Sequence, residues 1–287
     1  MIPVRLPYGD FRLSGKRNLT NPGDCAILNM ITGKEGGNMD NTGKFTGRSD
    51  VYAASRPGYA EELFGFLEDK RILTGGCTVA DIGAGTGKFT KQLLDRGYTV
   101  YAVEPNEDMR RTAEALLGGT RGFLSVNGYD AATGLPDASA DCVTAAQAFH
   151  WFDRDAFARE CRRILKPGGY AVLVYNNRDA ETDVIRENMD ICRTYCPGFV
   201  SFSHGLDGID LDGFFRNGYE TVRFENDLYY DCDTFIKRML SASYGLRGTD
   251  DGYTGFIAAL TALFEKYEEN GRMRVPNHTL AYFGRVV

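Results

Sequence analysis

The feature that most constrains this chain is a glycine-rich loop between a predicted strand and a predicted helix. A short β-rich run, Thr78–Ile82, leads into the sequence G-A-G-T-G at 83–87. Apolar residues at helical spacing follow at once, at Phe89, Leu93 and Leu94. Glycine lets the backbone turn sharply and approach a ligand closely. A strand, such a loop and a helix in this order are typical of a ligand-binding turn in an open parallel sheet.

The rest of the chain repeats the alternation of strand-like and helix-like segments. Further β-rich runs are predicted at Thr99–Val103, Gly122–Val126, Cys142–Ala146, Tyr170–Tyr175 and Thr279–Val287. Between the second and third of these runs, one predicted helix face carries Met109, Ala113, Leu116 and Leu117. Strands that alternate with helices form crossover units, which build a parallel sheet covered on both faces. The pattern therefore predicts an α/β fold with a doubly wound, mostly parallel sheet.

Two segments depart from this alternation. Residues 1–47 lack a helical or strand period and are rich in Gly, Asn and Thr from Asn18 onwards. We therefore expect an irregular N-terminal extension, of which residues 1–38 contribute little to the core. Residues 48–287 are predicted to form one domain, in which the stretch at about 231–274 is a helical cap inserted before the last strand.

Composition restricts the partners and the location of the protein. With 33 Lys and Arg against 39 Asp and Glu, the 287-residue chain carries a formal charge of −6, which disfavours nucleic-acid binding. No apolar run approaches the roughly 20 residues that cross a bilayer, and no signal peptide is recognised. Seven scattered cysteines are expected to be reduced thiols, and three dispersed histidines indicate no metal centre. We expect a cytoplasmic protein without membrane or nucleic-acid partners, whose oligomeric state has no signature in the sequence.

An acid at the end of the second predicted strand indicates the ligand. Glu104 lies 21 residues after Gly83, which matches the roughly 20-residue offset of an acid that binds ribose hydroxyls. The loop departs from the dinucleotide pattern G-x-G-x-x-G, because its third glycine, Gly87, comes one residue early. In addition, Asp81 would repel a pyrophosphate. S-adenosylmethionine has no phosphate and carries two positive groups, so an acidic loop favours it over a nicotinamide dinucleotide.

Three segments of the chain resemble the class I S-adenosylmethionine-dependent methyltransferases. They are D-I-G-A-G-T-G-K-F at 81–89, Y-A-V-E-P-N at 101–106 and R-R-I-L-K-P-G-G at 162–169. The resemblance implies a seven-stranded sheet whose last strand runs antiparallel between its neighbours. It also implies in-line transfer of a methyl group to a small-molecule acceptor. The residues expected to bind the cofactor in this part of the chain are Asp81, Gly83, Ala84, Gly85, Gly87, Glu104, Pro105, Asp130 and Ala131.

The segment Q-A-F-H-W-F-D at 147–153 follows the fourth predicted strand, at the edge where substrate chemistry is expected. Gln147 is predicted to contact the cofactor, and Trp151 to form an apolar wall of the acceptor pocket. His150 is the one candidate general base, since the ordinary pKa of histidine lies near neutrality. A hydrogen bond from His150 to the acceptor, or a purely structural role, stays open.

An upstream tract resembles the N-terminal lid of small-molecule methyltransferases. It reads F-x-x-R-S-D-x-Y-x-x-x-R-P-x-Y over 45–59. Together with Q-A-F-H-W-F-D, it resembles a branch that includes trans-aconitate methyltransferase-like proteins and is akin to the quinone-pathway C-methyltransferases. The resemblance implies that Tyr52 closes over the methionine end of the cofactor and that Arg56 pairs with a carboxylate of cofactor or substrate. Tyr59 is expected to contact the substrate.

Two other functions stay open at this point. A nicotinamide-dependent oxidoreductase would use the same acid at the second strand, and a non-catalytic binding module would keep the loop and Glu104 without turnover. The acceptor has no recognisable motif. The cations Lys237, Arg238 and Arg247 in the predicted cap would permit an acidic substrate but do not indicate one.

Overall fold

The structure is a computed structural model that describes residues 58–202, 206, 209–215, 217–242 and 244–286. The predicted N-terminal extension lies outside the described residues, and so do Tyr52 and Arg56 of the predicted lid. The division of the chain at 47/48 and the roles of these two residues therefore stay predictions.

The described residues form seven helices and ten strands. The helices are α1 (Glu61–Asp69), α2 (Lys88–Leu94), α3 (Glu107–Leu117), α4 (Arg154–Ile164), α5 (Asp183–Tyr195), α6 (Cys232–Leu240) and α7 (Tyr253–Tyr267), with a 3₁₀ turn at Phe149–Trp151. The strands are β1 (Thr78–Ile82), β2 (Thr99–Val103), β3 (Phe123–Val126), β4 (Ala140–Ala146), β5 (Leu165–Arg178), β6 (Tyr219–Glu225), β7 (Leu228–Tyr230), β8 (Glu268–Glu269), β9 (Arg272–Val275) and β10 (Asn277–Gly284). Side chains of Asn106, Asp153 and Asp231 cap the N-termini of α3, α4 and α6.

Seven strands form one sheet in the order β3-β2-β1-β4-β5-β10-β6. The first five strands of this order pair in parallel, whereas β10 runs antiparallel to both β5 and β6. The predicted α/β class, the mostly parallel sheet and the antiparallel last strand are thereby confirmed. Because the strand order reverses between β1 and β4, the loops that follow these two strands open at the same crevice.

Both faces of the sheet are covered, because alternate residues of the central strands point into separate apolar layers. On β5, Leu173 and Tyr175 enter a layer that includes α4. Val172 and Val174 enter the opposite layer, which includes α1 and α2. This double burial explains why the central part of β5, Tyr170–Tyr175, is a continuous apolar run instead of alternating with polar residues.

A third apolar cluster lies in the predicted cap and joins it to α5. Buried residues of α5, α6 and α7, among them Ile185, Met239 and Leu260, pack together there. The stretch 231–274 contains α6 and α7, and also β8 and most of β9; its role as a cap stays a prediction. These two strands form a small antiparallel sheet with β7. Within the part of the chain that the structure describes, no helix is long and apolar enough to cross a bilayer.

One expectation about the core is wrong. Leu116 was expected on the buried face of α3, but 63% of its surface is exposed, whereas Met109, Ala113 and Leu117 are buried. The buried arc of α3 is centred near Ala113 and extends to Leu117, which packs towards the glycine loop. Leu116 lies outside this arc. Leu124 on β3, an edge strand of the sheet, is also exposed.

The close approach of α3 to the glycine loop yields a stability prediction. A Cβ at Gly87 would lie 2.6 Å from Leu117 Cδ1, and the backbone there has a φ of +82°. Gly97 has the same φ of +82° but no atom within 4 Å of such a Cβ. Gly97→Ala should therefore lose only about 1–2 kcal/mol of unfolding free energy to backbone strain. Gly87→Ala should lose a further ~1–3 kcal/mol from overpacking.

Urea denaturation of the two variants measures this difference directly. Equal losses of unfolding free energy in Gly87→Ala and Gly97→Ala would contradict the tight contact between the loop and α3.

Candidate active site

The glycine loop is tied to the end of β2 by two main-chain hydrogen bonds. The amides of Gly83 and Ala84 donate to the Val103 carbonyl at 2.9 and 3.1 Å. Gly83 and Gly85 have φ values of +70° and +59°, a region that residues with a side chain rarely adopt. The loop is therefore held beside the carboxyl end of β2.

The two glycines of this loop differ in what surrounds them. A Cβ at Gly83 would lie 2.7 Å from the Cβ of Ala148, so close packing excludes any side chain there. A Cβ at Gly85 would have only Met109 Sδ within 4 Å, at 3.8 Å. The side of the loop at Gly85 is therefore open enough to receive a ligand against the backbone.

Glu104 reaches from the end of β2 to the open part of the loop. Its carboxylate accepts hydrogen bonds from the amides of Gly85 and Asn106, each at 2.8 Å, one on each oxygen. The residue is only 7% exposed. Burial raises the pKa of Glu104, while the two amide hydrogen bonds and the charge of Arg110 oppose this rise. Each carboxylate oxygen keeps further acceptor capacity, which suits a pair of ribose hydroxyls.

Asp81 lies at the end of β1 and is fully enclosed. Its two oxygens accept hydrogen bonds from the hydroxyls of Thr90 in α2, at 2.6 Å, and Thr144 in β4, at 2.8 Å. Burial raises the pKa of Asp81 to about 6, although both hydroxyls oppose the rise. The carboxyl group thus braces three elements beneath the loop. Its predicted direct contact with the cofactor stays a prediction.

The loops after β2 and β3 meet where the adenine is predicted to bind. Arg110 donates to the carbonyls of Glu104 and Pro105 and to the side chain of Asn127. Asp130 accepts a hydrogen bond from the Asp153 amide at 3.0 Å, so it links this region to the start of α4. Burial raises the pKa of Asp130.

The predicted roles of Pro105, Asp130 and Ala131 stay predictions. Pro105 and Asp130 are partly buried, and Ala131 is exposed. All three lie on loops at the carboxyl edge of the sheet.

Gln147 directly follows β4 and has a φ of +56°, which is rare for a residue with a side chain. Its main-chain N–H donates to the Val174 carbonyl at 2.8 Å. Its side-chain Nε2 donates to the Asn176 carbonyl at 2.9 Å. These bonds to β5 hold a strained conformation at the switch point, and strain of this kind is concentrated at functional sites. The predicted contact between Gln147 and the cofactor stays a prediction.

The 3₁₀ turn after Gln147 divides its aromatic residues between core and surface. Phe149 is fully buried and packs edge-on against Phe214, with ring centroids 4.9 Å apart. His150 and Trp151 point outwards, and 46% of the Trp151 surface is exposed. The hydroxyl of the buried Tyr175 lies 3.1 Å from His150 Nδ1 and accepts from the His150 amide at 3.2 Å. Tyr175 therefore orients the imidazole from below.

Tyr59 occupies a different environment from the one expected. Its side chain is 9% exposed and packs edge-on against Phe89 of α2, with ring centroids 5.0 Å apart. The main chain of Tyr59 exchanges hydrogen bonds with the Gln92 side chain. This placement in the apolar layer beside α2 lends no support to the predicted contact with substrate.

The structure brings three further polar residues together that the sequence analysis missed. Asn176, Asn226 and Thr279 lie at neighbouring ends of β5, β6 and β10 and hydrogen-bond to one another at 2.6–3.2 Å. Both asparagines donate to the Gly58 carbonyl at 3.0 Å. The cluster therefore holds the main chain just before α1, at the same edge of the sheet as the glycine loop. Polar residues at three strand ends were the available signal, but only the sheet order makes them neighbours.

Comparison with known proteins identifies the same part of the chain. A family model described as a methyltransferase domain matches residues 80–173. An uncharacterized methyltransferase of Mycobacterium tuberculosis is 38% identical over 137 residues, which are 48% of this chain and 54% of that protein. The chain thus spans about half the length of that relative. An uncharacterized methyltransferase of Geobacillus sp. is 33% identical over 159 residues, which are 50% of this chain and 73% of that protein.

Two solved structures share the fold. A protein of Anaeromyxobacter dehalogenans assigned as a type II methyltransferase aligns with a TM-score of 0.55 and 23% identity over 81% of this chain and 98% of that one. A methyltransferase assigned to an antibiotic biosynthesis pathway of Anabaena variabilis aligns with a TM-score of 0.51 and 24% identity, over 73% of this chain and 91% of that one.

The buried carboxyl of Asp81 yields a pH prediction. Its folded pKa of about 6 exceeds the ordinary value of 3.8, so the folded protein binds more protons than the unfolded chain between these pH values. Wild-type stability therefore contains a contribution that is lost as pH rises through about 6. Asp81→Asn lacks this titration. Its stability relative to wild type should rise by about 2 kcal/mol between pH 4 and pH 7, at ~1.4 kcal/mol for each pKa unit.

Urea denaturation across this pH range provides the measurement. Asp155→Asn, at an exposed position, controls for the charge change. If the difference in unfolding free energy between Asp81→Asn and wild type is the same at pH 4 and at pH 7, the pKa of Asp81 is not raised to about 6 in the folded protein.

Proposed function

Because the chain belongs to the class I S-adenosylmethionine-dependent methyltransferase family, we propose that it methylates a small-molecule acceptor. One observation of the structure carries the proposal. The Glu104 carboxylate accepts a hydrogen bond from the Gly85 amide at 2.8 Å. The space next to Gly85 is open, because a Cβ built there would have only one atom within 4 Å. A buried carboxylate that can accept further hydrogen bonds, next to main chain with free space beside it, suits the ribose hydroxyls of a nucleoside that carries no phosphate.

The residues present fit the cofactor of this family. Glu104 would hold the ribose, the open side of Gly85 would lie along the methionine moiety, and Pro105 and Asp130 would border the adenine. When bound, S-adenosylmethionine supplies an electrophilic methyl group. The chain itself has to orient the acceptor towards that group and exclude water, and such positioning accounts for most of the rate enhancement we expect.

His150 can act on the acceptor in two ways, according to its tautomer. If the Tyr175 hydroxyl donates to Nδ1, the proton of the imidazole is on Nε2, which can then donate to the acceptor. If Nδ1 donates to the Tyr175 oxygen, Nε2 carries the lone pair and would be the atom that accepts a proton in a general-base role. The contact of 3.1 Å permits both arrangements. The base role applies only to acceptors that lose a proton on methylation.

A small-molecule acceptor is favoured by charge and by the cap. The net charge of −6 disfavours a nucleic-acid substrate. The predicted cap, which contains α6 and α7 and shares an apolar cluster with α5, would enclose a small ligand at the site. The resemblance of Q-A-F-H-W-F-D to the trans-aconitate and quinone-pathway branch supports the same acceptor class.

The alternatives make different binding predictions. An oxidoreductase would bind NAD, whereas the proposed enzyme binds S-adenosylhomocysteine and not NAD. A non-catalytic module would bind S-adenosylhomocysteine without turnover. Calorimetry with both ligands, followed by a methyl-transfer assay over a defined panel of small metabolites, separates the three. Absence of heat with S-adenosylhomocysteine would overturn the proposal.

Removing the Glu104 carboxylate should weaken cofactor binding selectively. We expect Glu104→Ala to lose about 1–3 kcal/mol of binding free energy for S-adenosylhomocysteine, the range for a lost charged hydrogen-bond partner. Glu107→Ala provides a matched control, since Glu107 is exposed at the start of α3 and pairs with Arg111. Unchanged affinity in Glu104→Ala, measured by calorimetry, would show that the ribose binds elsewhere.

A further inference from the structure

Arg178, the last residue of β5, carries a charge that the described residues do not neutralise. Its guanidinium lies over the ring of Phe202, 3.8 Å from the centroid, and its Nη2 donates weakly to Met239 Sδ at 3.5 Å. No carboxylate of the described residues pairs with it. Its Nη1 is buried and has no hydrogen-bond acceptor among the residues that the structure describes.

Two other cations around the cap have acidic partners. Lys237 pairs with Asp233, and Lys266 pairs with Glu187 at 2.7 Å. A buried donor on a charged group without an acceptor is costly, because it loses water and gains nothing in return. A buried donor of this kind calls for an acceptor from outside the described residues, and a bound ligand is one source of it.

A second unused donor lies beside Arg178. The hydroxyl of Tyr244 makes no hydrogen bond with the described residues, and its ring packs edge-on against Phe199 at 4.8 Å. Both groups lie against Phe202: its ring centroid is 6.5 Å from that of Tyr244, and the Arg178 guanidinium lies over the same ring. Burial raises the pKa of Tyr244, while the positive charge of Arg178 opposes this rise. Arg178 and Tyr244 thus offer a cationic and a neutral donor against aromatic walls formed by Phe199 and Phe202.

The position of Arg178 in the sheet fits the acceptor side of the site. Val174 pairs with Ala146, the last residue of β4, and β5 continues for four residues beyond Val174 to Arg178. At about 3.3 Å per residue, Arg178 lies roughly 13 Å beyond the end of β4. It therefore lies at the same edge as the glycine loop, on the side where the cap begins.

We propose that the methyl acceptor carries a carboxylate or phosphate group, which Arg178 binds through Nη1 with a second hydrogen bond from Tyr244. This inference rests on the proposed function, because it concerns the acceptor of the same site. A guanidinium and a phenol are strong donors to an oxyanion. The cations that the sequence indicated, Lys237, Arg238 and Arg247, are not the ones assigned to this role.

Matched pairs of charged and neutral aryl compounds test the proposal without knowledge of the true acceptor. The probes are 3-phenylpropionate against 3-phenylpropionamide, and phenyl phosphate against phenol, each titrated in the presence of S-adenosylhomocysteine. We expect wild type to bind at least one anion about tenfold or more tighter than its neutral partner, as for a charged hydrogen bond. The two pairs also distinguish a carboxylate site from a phosphate site.

Three variants locate the effect. Arg178→Met should abolish the preference for the anion, Arg178→Lys should retain part of it, and Tyr244→Phe should reduce it. Arg247→Met, which removes an exposed cation of the same cap, should leave the preference intact. Arg178→Met should also raise the melting temperature of the ligand-free protein, because an uncompensated buried donor is removed.

The outcomes keep this inference separate from the proposed function. If S-adenosylhomocysteine raises the melting temperature of every variant while no anion is preferred by wild type, the anion site is wrong and the methyltransferase proposal stands. If Arg178→Met prefers the anions over their neutral partners as strongly as wild type does, Arg178 does not form the anion site and the inference is wrong. Loss of the S-adenosylhomocysteine response in wild type would instead overturn the proposed function.

Discussion

The carboxylate of Glu104, held between two main-chain amides, is the interaction on which the candidate site depends. By accepting from Gly85 at 2.8 Å, it joins the loop after β1 to the end of β2. Its bond from the Asn106 amide, also at 2.8 Å, orients the start of α3 as well. A buried carboxylate without these donors would shift towards the protonated form. The same two bonds that stabilise the fold therefore keep an anionic acceptor beside the open side of the loop.

Much of the fold was predictable, because the governing forces are local. The β-rich runs and the placement of the glycines predicted β1 and β2 with their observed bounds. The offset between Gly83 and Glu104 predicted that this carboxylate lies beside the glycine loop, where it accepts from the Gly85 amide. Leu116 was misplaced because helical spacing defines a face but not how far the neighbouring sheet extends. Tyr59 was expected near substrate because its motif resembles a lid, whereas the structure buries its ring against Phe89.

Features that depend on distant parts of the chain could not be predicted from local patterns. The contacts of Asn176, Asn226 and Thr279 exist because β10 inserts between β5 and β6, which no single segment reveals. Arg178 looks in sequence like an ordinary strand end. That none of the described carboxylates pairs with it becomes visible only in the folded chain, where Met239 of α6 and Phe202 lie against its guanidinium. Lys237, Arg238 and Arg247 lie within the predicted cap, whereas Arg178 lies outside it, at the end of β5.

The central claim is that Glu104 binds the ribose of a phosphate-free nucleoside against the open side of the glycine loop. A crystal structure of the protein with S-adenosylhomocysteine tests this most directly. The account predicts both ribose hydroxyls within hydrogen-bond distance of the Glu104 carboxylate and the homocysteine chain along Gly85. A nucleoside bound elsewhere, or a Glu104 carboxylate that contacts only the protein while the ligand is present, would contradict it.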